Sequence, residues 1–162
     1  MKRLWAPWRM AWIGADKETL PAGCIFCEAW RTDDDRRLLV LERGTRAFLI
    51  LNAYPYASGH VMAVLERHVA TVSEANVDEL AEAMRLVQRA VVALGAEYRP
   101  DGYNIGLNQG PAAGAGIADH LHMHVVPRWG GDSNFMAVVG DTRVLPETLD
   151  RTWERLRGRL GD

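Results

Sequence analysis

The chain has 162 residues, 48% of them apolar and 25% charged, with a net charge of −2. That length fits one domain, and the composition is that of a globular protein, which excludes a fibrous or disordered chain. The charge gives no broad basic field for nucleic acid or an anionic membrane, and no apolar run reaches the roughly 20 residues that cross a bilayer.

Residues 1–22 carry Trp5, Trp8 and Trp12 without helical or strand periodicity. Exposed Trp is disfavoured, so an ordered arm lying on the domain or on a partner chain is expected. Its Trp, Pro and Arg content does not suit a secretory signal, and a cytoplasmic protein is expected. In a reducing compartment Cys24 and Cys27, in "CIFC", point to metal or redox work more than to a structural disulfide. "RLLVLERG" (37–44) and "RAFLILN" (46–52) read as strands separated by a Gly44-Thr45 turn. "AYPYASG" breaks the ladder, and "HVMAVLERH" (60–68) is a third strand. A long helix is expected over about residues 73–97, with Val77, Leu80, Met84, Val87, Val91 and Leu94 as its buried stripe. "YNIGLNQ" (103–109) and "HLHMHVVP" (120–127) are strands either side of the glycine-rich "GPAAGAGIAD", and a last amphipathic helix fits 146–160. This order predicts an α+β fold with a mostly antiparallel five-stranded sheet, one long helix and a C-terminal helix. The chain divides into an arm (1–22), a core (23–128) and a C-terminal extension (129–162).

Strand alternation places His120, His122 and His124 on one face and Leu121, Met123 and Val125 on the other. Three readings fit such a row: metal ligands, a polar sheet face, or a nucleophile with helpers. Same-face side chains lie about 6.5–7 Å apart, so three from one strand rarely converge on one ion. Gly110, Gly114 and Gly116 immediately upstream let backbone amides approach a phosphate. A phosphate nest running into a histidine row suits nucleophilic catalysis. Neutral imidazole is a good nucleophile near pH 7, and its attack on phosphorus gives a phosphoramidate intermediate. Flanking groups then hold the non-bridging oxygens as charge develops.

"HLHMHVV" resembles the motif of the histidine triad family, and "ILNAYPYASGHVMAVLERHV" and "NQG" resemble that family's upstream strands and phosphate loop. The resemblance covers roughly residues 23 to 128. It implies a homodimer whose two sheets join into one, acting in nucleotidyl transfer or hydrolysis. His122 would be the nucleophile, His124 would contact the α-phosphate, and His60 would lie close to both. Asn52 matches the ribose-binding position and Asn108 a phosphate-side amide, with Gly114 and Gly116 in the phosphate loop. Phe48 and Ile50 could flank the base, and Ile25 and Phe26 are equal candidates. "LWAPWRM" and "GGDSNFM" further resemble a bacterial branch named for diadenosine tetraphosphate phosphorylase, which implies dinucleoside polyphosphate substrates with phosphate or water as acceptor. A nucleotide-binding sensor with slow hydrolysis of phosphoramidates or nucleotide esters is the alternative.

Two thiolates and two histidines make a closed tetrahedral zinc site. His68 ends the third expected strand and His120 begins the fifth, so the two are candidate sheet neighbours. The resemblance implies the same set: Cys24, Cys27, His68 and His120 as ligands of one structural Zn2+. Two buried cysteines beside an aromatic core are the other reading of the pair. The aromatic residues of 1–13 and 129–137 have the composition of an interface, so a homodimer is expected. In it, segment 132–136 would bring Asn134 or Phe135 near the second nucleoside in the partner's site. No nucleic-acid or membrane partner is expected.

Overall fold

The computed structural model describes residues 23–132 and 147–161. The arm at 1–22, Asn134 and Phe135 lie outside the described residues. Five strands, β1 (Val40–Arg43), β2 (Ala47–Leu51), β3 (Val61–Leu65), β4 (Gly102–Leu107) and β5 (His122–Arg128), form one sheet. Their order is β1-β2-β3-β5-β4, with every pairing antiparallel. Three α-helices accompany it among the described residues: α1 (Ile25–Arg31), α2 (Val77–Tyr98) and α3 (Leu149–Leu160). The α+β class, the five strands and the two longer helices agree with the sequence; α1 was not foreseen.

Alternation divides the core in two. Leu49, Leu51, Val61, Ala63, Leu65, Leu121 and Val125 pack with α2 and α3. Val40, Phe48, Ile50, Met62 and Val64 pack with Phe26 and Ala29 of α1. Val64 stands opposite His122, and Met62 opposite His124, so both histidines lie on the α1 face. All five strands are shorter than expected. Leu39, at φ 60°, and the bonds of Leu38, Leu39 and Val40 amides to the 34–36 carbonyls make 34–39 a turn, so β1 starts at Val40.

Helix α2 starts at Val77 rather than 73. The Asn76 side chain accepts from the Glu79 amide while the Glu79 carboxylate accepts from the Asn76 amide, which satisfies two orphan donors at once. The expected stripe is partly wrong. Val77 is 81% and Met84 45% exposed. The buried face instead runs through Ala83, Leu86, Val87, Ala90, Ala93 and Leu94. Three alanines let the helix axis approach the sheet, and the face is flanked by two buried carboxylates with partners. Glu79 takes the Arg67 guanidinium, and Glu82 takes the Thr45 amide and hydroxyl.

Helix α3 starts at Leu149 rather than 146, with the Thr148 hydroxyl accepting from the Arg151 amide. It guards the β1 edge: the Trp153 indole donates to the Val40 carbonyl at 2.8 Å, and Arg157 donates to the Leu41 carbonyl. At the other edge β4 pairs only with β5 among the described residues and leaves Ile105 47% exposed.

Candidate active site and metal cluster

The histidine row does not act as a row. His120 stands just before β5, and its buried ring turns toward α1 and His68. His120 Nε2 lies 2.7 Å from the Leu65 carbonyl oxygen, which only accepts, so the ring proton is on Nε2. The Nδ1 lone pair is therefore left facing Cys24 Sγ at 3.2 Å, Cys27 Sγ at 3.6 Å and His68 Nδ1 at 3.2 Å. Cys27 Sγ is 3.4 Å from His68 Nδ1, and the four donor atoms lie within 4.8 Å of one another. A tetrahedral zinc with bonds of about 2.0–2.3 Å holds its ligand atoms roughly 3.3–3.8 Å apart. The contacts of 3.2–3.6 Å and the N₂S₂ donor set come close to that spacing, so Cys24, Cys27, His68 and His120 could hold a metal. Burial, then the neighbouring Cys24, pushes the Cys27 thiol up, a tendency a bound cation reverses.

Helix α1 brings the cysteines to this point. Cys24 is its N-cap residue, with no side-chain cap bond, and Cys27 lies one turn on. The C-terminal end is tied down by Arg43, which donates to the carbonyls of Ala29, Trp30 and Thr32 and pairs with Asp35. Between the cysteines, Phe26 is fully buried. Its ring lies 5.4 Å from His120, edge-on, and 5.1 Å from His122.

His122 uses its nitrogens the other way round. Its Nδ1 is 2.8 Å from the His120 carbonyl oxygen and donates to it, so the Nε2 lone pair is free of the ring proton. The residue is 5% exposed, and burial pulls its pKa down while the bond to the His120 carbonyl pulls it up. Net, the neutral form is favoured. Beside it, the Tyr56 backbone amide donates to His60 Nδ1 at 3.1 Å, which puts the His60 proton on Nε2. That Nε2 is 3.0 Å from His124 Nδ1, so the His124 proton is on its own Nε2. A single backbone donor thus sets two tautomers in sequence. The Tyr56 ring lies 4.8 Å from His60 and 6.3 Å from His124, while the rings of His122 and His124 meet edge to face at 4.9 Å.

The remaining candidates fall around this group unevenly. Asn52 follows β2 and bonds through its backbone amide to the His60 carbonyl, while its side-chain oxygen takes the Tyr54 amide. Ile50 reaches the surface slightly at 7%, and Ile25 is half-buried. Phe48, expected beside a base, has no exposed surface and packs under Trp30, so it backs the wall from within the core. Asn108 is half-buried after β4. Gly110 and Gly114 both take positive φ, near 80°, around a 3₁₀ turn at Pro111–Ala113, and Ile117 then packs onto the Phe26–Phe48 cluster. That contact seats the glycine-rich loop on the histidine face. Phe26, expected as a candidate to flank a base, is instead fully buried between the two cluster cysteines. Tyr56 and Arg43 carry no signal in the sequence.

A model of the HIT domain matches residues 37–131. The chain is 39% identical over 159 residues to the "AP-4-A phosphorylase" of Mycobacterium tuberculosis, covering 94% of this chain and 80% of that protein. It is 30% identical over 110 residues to an adenosine 5'-monophosphoramidase of Saccharomyces cerevisiae, covering 68% and 65% of the two chains. Its fold matches a Zn-bound histidine triad family protein from Mycobacterium smegmatis with a TM-score of 0.70 and 26% identity, over 86% of this chain and 94% of that one.

Proposed function

From the premise that this chain belongs to the HIT domain family, and is an enzyme acting on nucleotides, we propose that it cleaves dinucleoside polyphosphates such as diadenosine tetraphosphate through a nucleotidyl-His122 intermediate. The observation that carries this reading is the 2.8 Å bond from His122 Nδ1 to the His120 carbonyl, which leaves Nε2 as a nucleophilic lone pair in a buried site.

In the first step Nε2 of His122 attacks the α-phosphorus, the bond from that phosphorus to its bridging oxygen breaks, and the nucleoside polyphosphate leaves. The positive charge on the imidazole is drawn toward the His120 carbonyl through Nδ1–H. His124, with its proton on Nε2, donates to an α-phosphate oxygen, and His60 holds it in that tautomer. In the second step phosphate or water attacks the same phosphorus, the N–P bond breaks, and the lone pair returns to Nε2. Asn52 binds ribose hydroxyls, Ile50 and Ile25 flank the base, and Asn108, Gly114 and Gly116 line the phosphates.

Zinc fits the cluster at Cys24, Cys27, His68 and His120, and when bound it supplies a structural cross-link between α1 and the sheet. The β4 edge, which pairs only with β5 among the described residues, is the surface through which two copies join their sheets. Segment 132–136, with Asn134 and Phe135, then serves the second nucleoside of the partner's substrate.

Rapid quenching with substrate labelled at the α-phosphorus tests the mechanism. The label should appear on protein as an acid-labile, base-stable adduct that His122→Ala lacks. Product masses with and without inorganic phosphate decide the acceptor: a nucleoside diphosphate from the labelled half means phosphorolysis, and a monophosphate means hydrolysis. Absence of any adduct during active turnover would sink the reading. The similarity to a monophosphoramidase supports the second reading, slow hydrolysis of phosphoramidates by the same His122, which predicts faster turnover on an adenosine phosphoramidate than on any dinucleotide.

A further inference from the structure

We propose that Phe26 is a positioning residue that couples the Cys24–Cys27–His68–His120 metal cluster to the nucleophile, so that metal occupancy fixes the orientation of the His122 ring. The inference rests on the reading of His122 as nucleophile and of the cluster as a metal site.

Among the described residues, one hydrogen bond and two ring contacts hold the His122 imidazole: its Nδ1–H on the His120 carbonyl, the Phe26 ring at 5.1 Å and the His124 ring at 4.9 Å. Two of the three lead to the metal cluster. The residue whose carbonyl receives Nδ1–H is the one whose own Nδ1 faces the cysteines. Phe26 stands between Cys24 and Cys27 and touches the rings of both His120 and His122. It is fully buried on the α1 face of the sheet, so a shift of α1 moves the ring directly against the nucleophile.

Helix α1 has little of its own to hold that position. It is 7 residues long and its N-cap makes no side-chain cap bond; helices this short are unstable alone. Arg43 fixes the C-terminal end on three carbonyls. Among the described residues, the polar ties from the N-terminal end of α1 to His68 and His120 are those of Cys24 and Cys27. An ion there converts sulfur–nitrogen contacts into four bonds and clamps the end of the helix that carries Phe26. An off-axis nucleophile loses rate steeply, because a misplacement of about 1 Å from near-attack geometry can cost about 10²-fold. The cluster therefore acts on the chemistry through aromatic packing and a backbone carbonyl while contributing no group to the reacting atoms.

The test uses the full chain, zinc-loaded and ¹⁵N-labelled, with the His122 Nδ1–H resonance assigned by its loss in His122→Gln. The parent, F26L, F26A and parent stripped by a chelator are compared for zinc content, exchange of that proton, kcat and KM. F26A should keep one zinc per chain, exchange the proton at least about tenfold faster, and lose at least about tenfold in kcat with KM within about threefold. F26L should fall between F26A and the parent, and stripped parent should match F26A in proton exchange. A merely structural phenylalanine would change melting temperature and leave the proton alone. Equal proton exchange and kcat in zinc-loaded F26A or F26L and in the parent overturns the proposal. So does a parent that takes up no zinc, or a stripped parent whose proton stays slow. Where F26A fails to fold, F26L and the stripped parent decide in the same way. If the parent forms no nucleotidyl adduct, the mechanistic reading fails by itself, and the proton measurement still judges the coupling.

Discussion

His120, just before β5, and His122, its first residue, are two positions apart, both buried, and chemically opposite. In His120 a backbone carbonyl takes Nε2 and leaves Nδ1 to face two sulfurs and a third imidazole. In His122 a backbone carbonyl takes Nδ1 and leaves Nε2. Residue type and burial are the same, so the difference comes from which nitrogen the main chain occupies. Cluster ligation needs Nδ1 because the ring reaches sideways to α1. Attack on phosphorus needs Nε2, the atom farthest from the backbone. A histidine's role in a β-strand is thus set by carbonyl placement as much as by its neighbours.

Substitution at the two positions should separate them most sharply. His122→Ala should lower kcat at least about 10³-fold while nucleotide binding stays within about tenfold, roughly 1.4 kcal/mol. His120→Ala should instead lose the metal and the fold's stability. Comparable kcat in His122→Ala and parent, by steady-state assay, would end the assignment. The next largest effect belongs to the cluster. Cys24→Ser or chelation should release one zinc per chain and lower Tm by about 10 °C, read by metal analysis and calorimetry. Purified protein without stoichiometric zinc contradicts this.

A smaller effect tests the tautomer chain from Tyr56 through His60 to His124. His124→Ala should cost about 10²-fold in kcat and His60→Ala about tenfold, with the double variant no worse than His124→Ala alone. Full additivity in that cycle would mean that His60 does not act through His124.

The smallest effect lies away from both clusters and serves as their control. Asn76→Ala should cost about 1 kcal/mol, or a Tm drop of about 2–4 °C, with kcat unchanged. Its partner Glu79 adds a pH signature. The Arg67 guanidinium holds the Glu79 carboxyl at about 2, below its ordinary 4.5. That stabilisation is present above the unfolded value and fades as pH falls from about 4.5 toward 2. Acid unfolding of Glu79→Gln should be flatter over this window.

Much of this was legible in the sequence. Period-two alternation gave the strands, and "CIFC" with His68 and His120 gave a set that the fold brings within 4.8 Å. Three features were not legible, each for a physical reason. Helix α1 is too short to show a period and is held by Arg43 and its own cysteines rather than by propensity. The buried face of α2 was misplaced because alanines at 83, 90 and 93 look neutral in a hydrophobic pattern, although their small size is what admits the sheet. The Tyr56 amide that orders His60 and His124 is a backbone group, and a one-letter code does not record where backbone groups point.

The order of the strands has a consequence for how the chain assembles. Among the described residues β5 is the last strand in sequence, yet it lies between β3 and β4, inside the sheet. The four cluster residues it completes are joined across separations of 41, 52 and 96 positions. Until residue 120 is delivered, Cys24 and Cys27 can meet an ion only together with His68, and His122 lacks the Phe26 ring and the β3 partner Val64 that pack it in place. Loop closure over such separations is slow, so central insertion of β5 is expected to come late in folding. If the cluster takes zinc and His122 is the nucleophile, metal capture and catalytic competence are expected in the same kinetic phase, and the rate of zinc uptake by refolding chains would be a clock for the closing of the sheet.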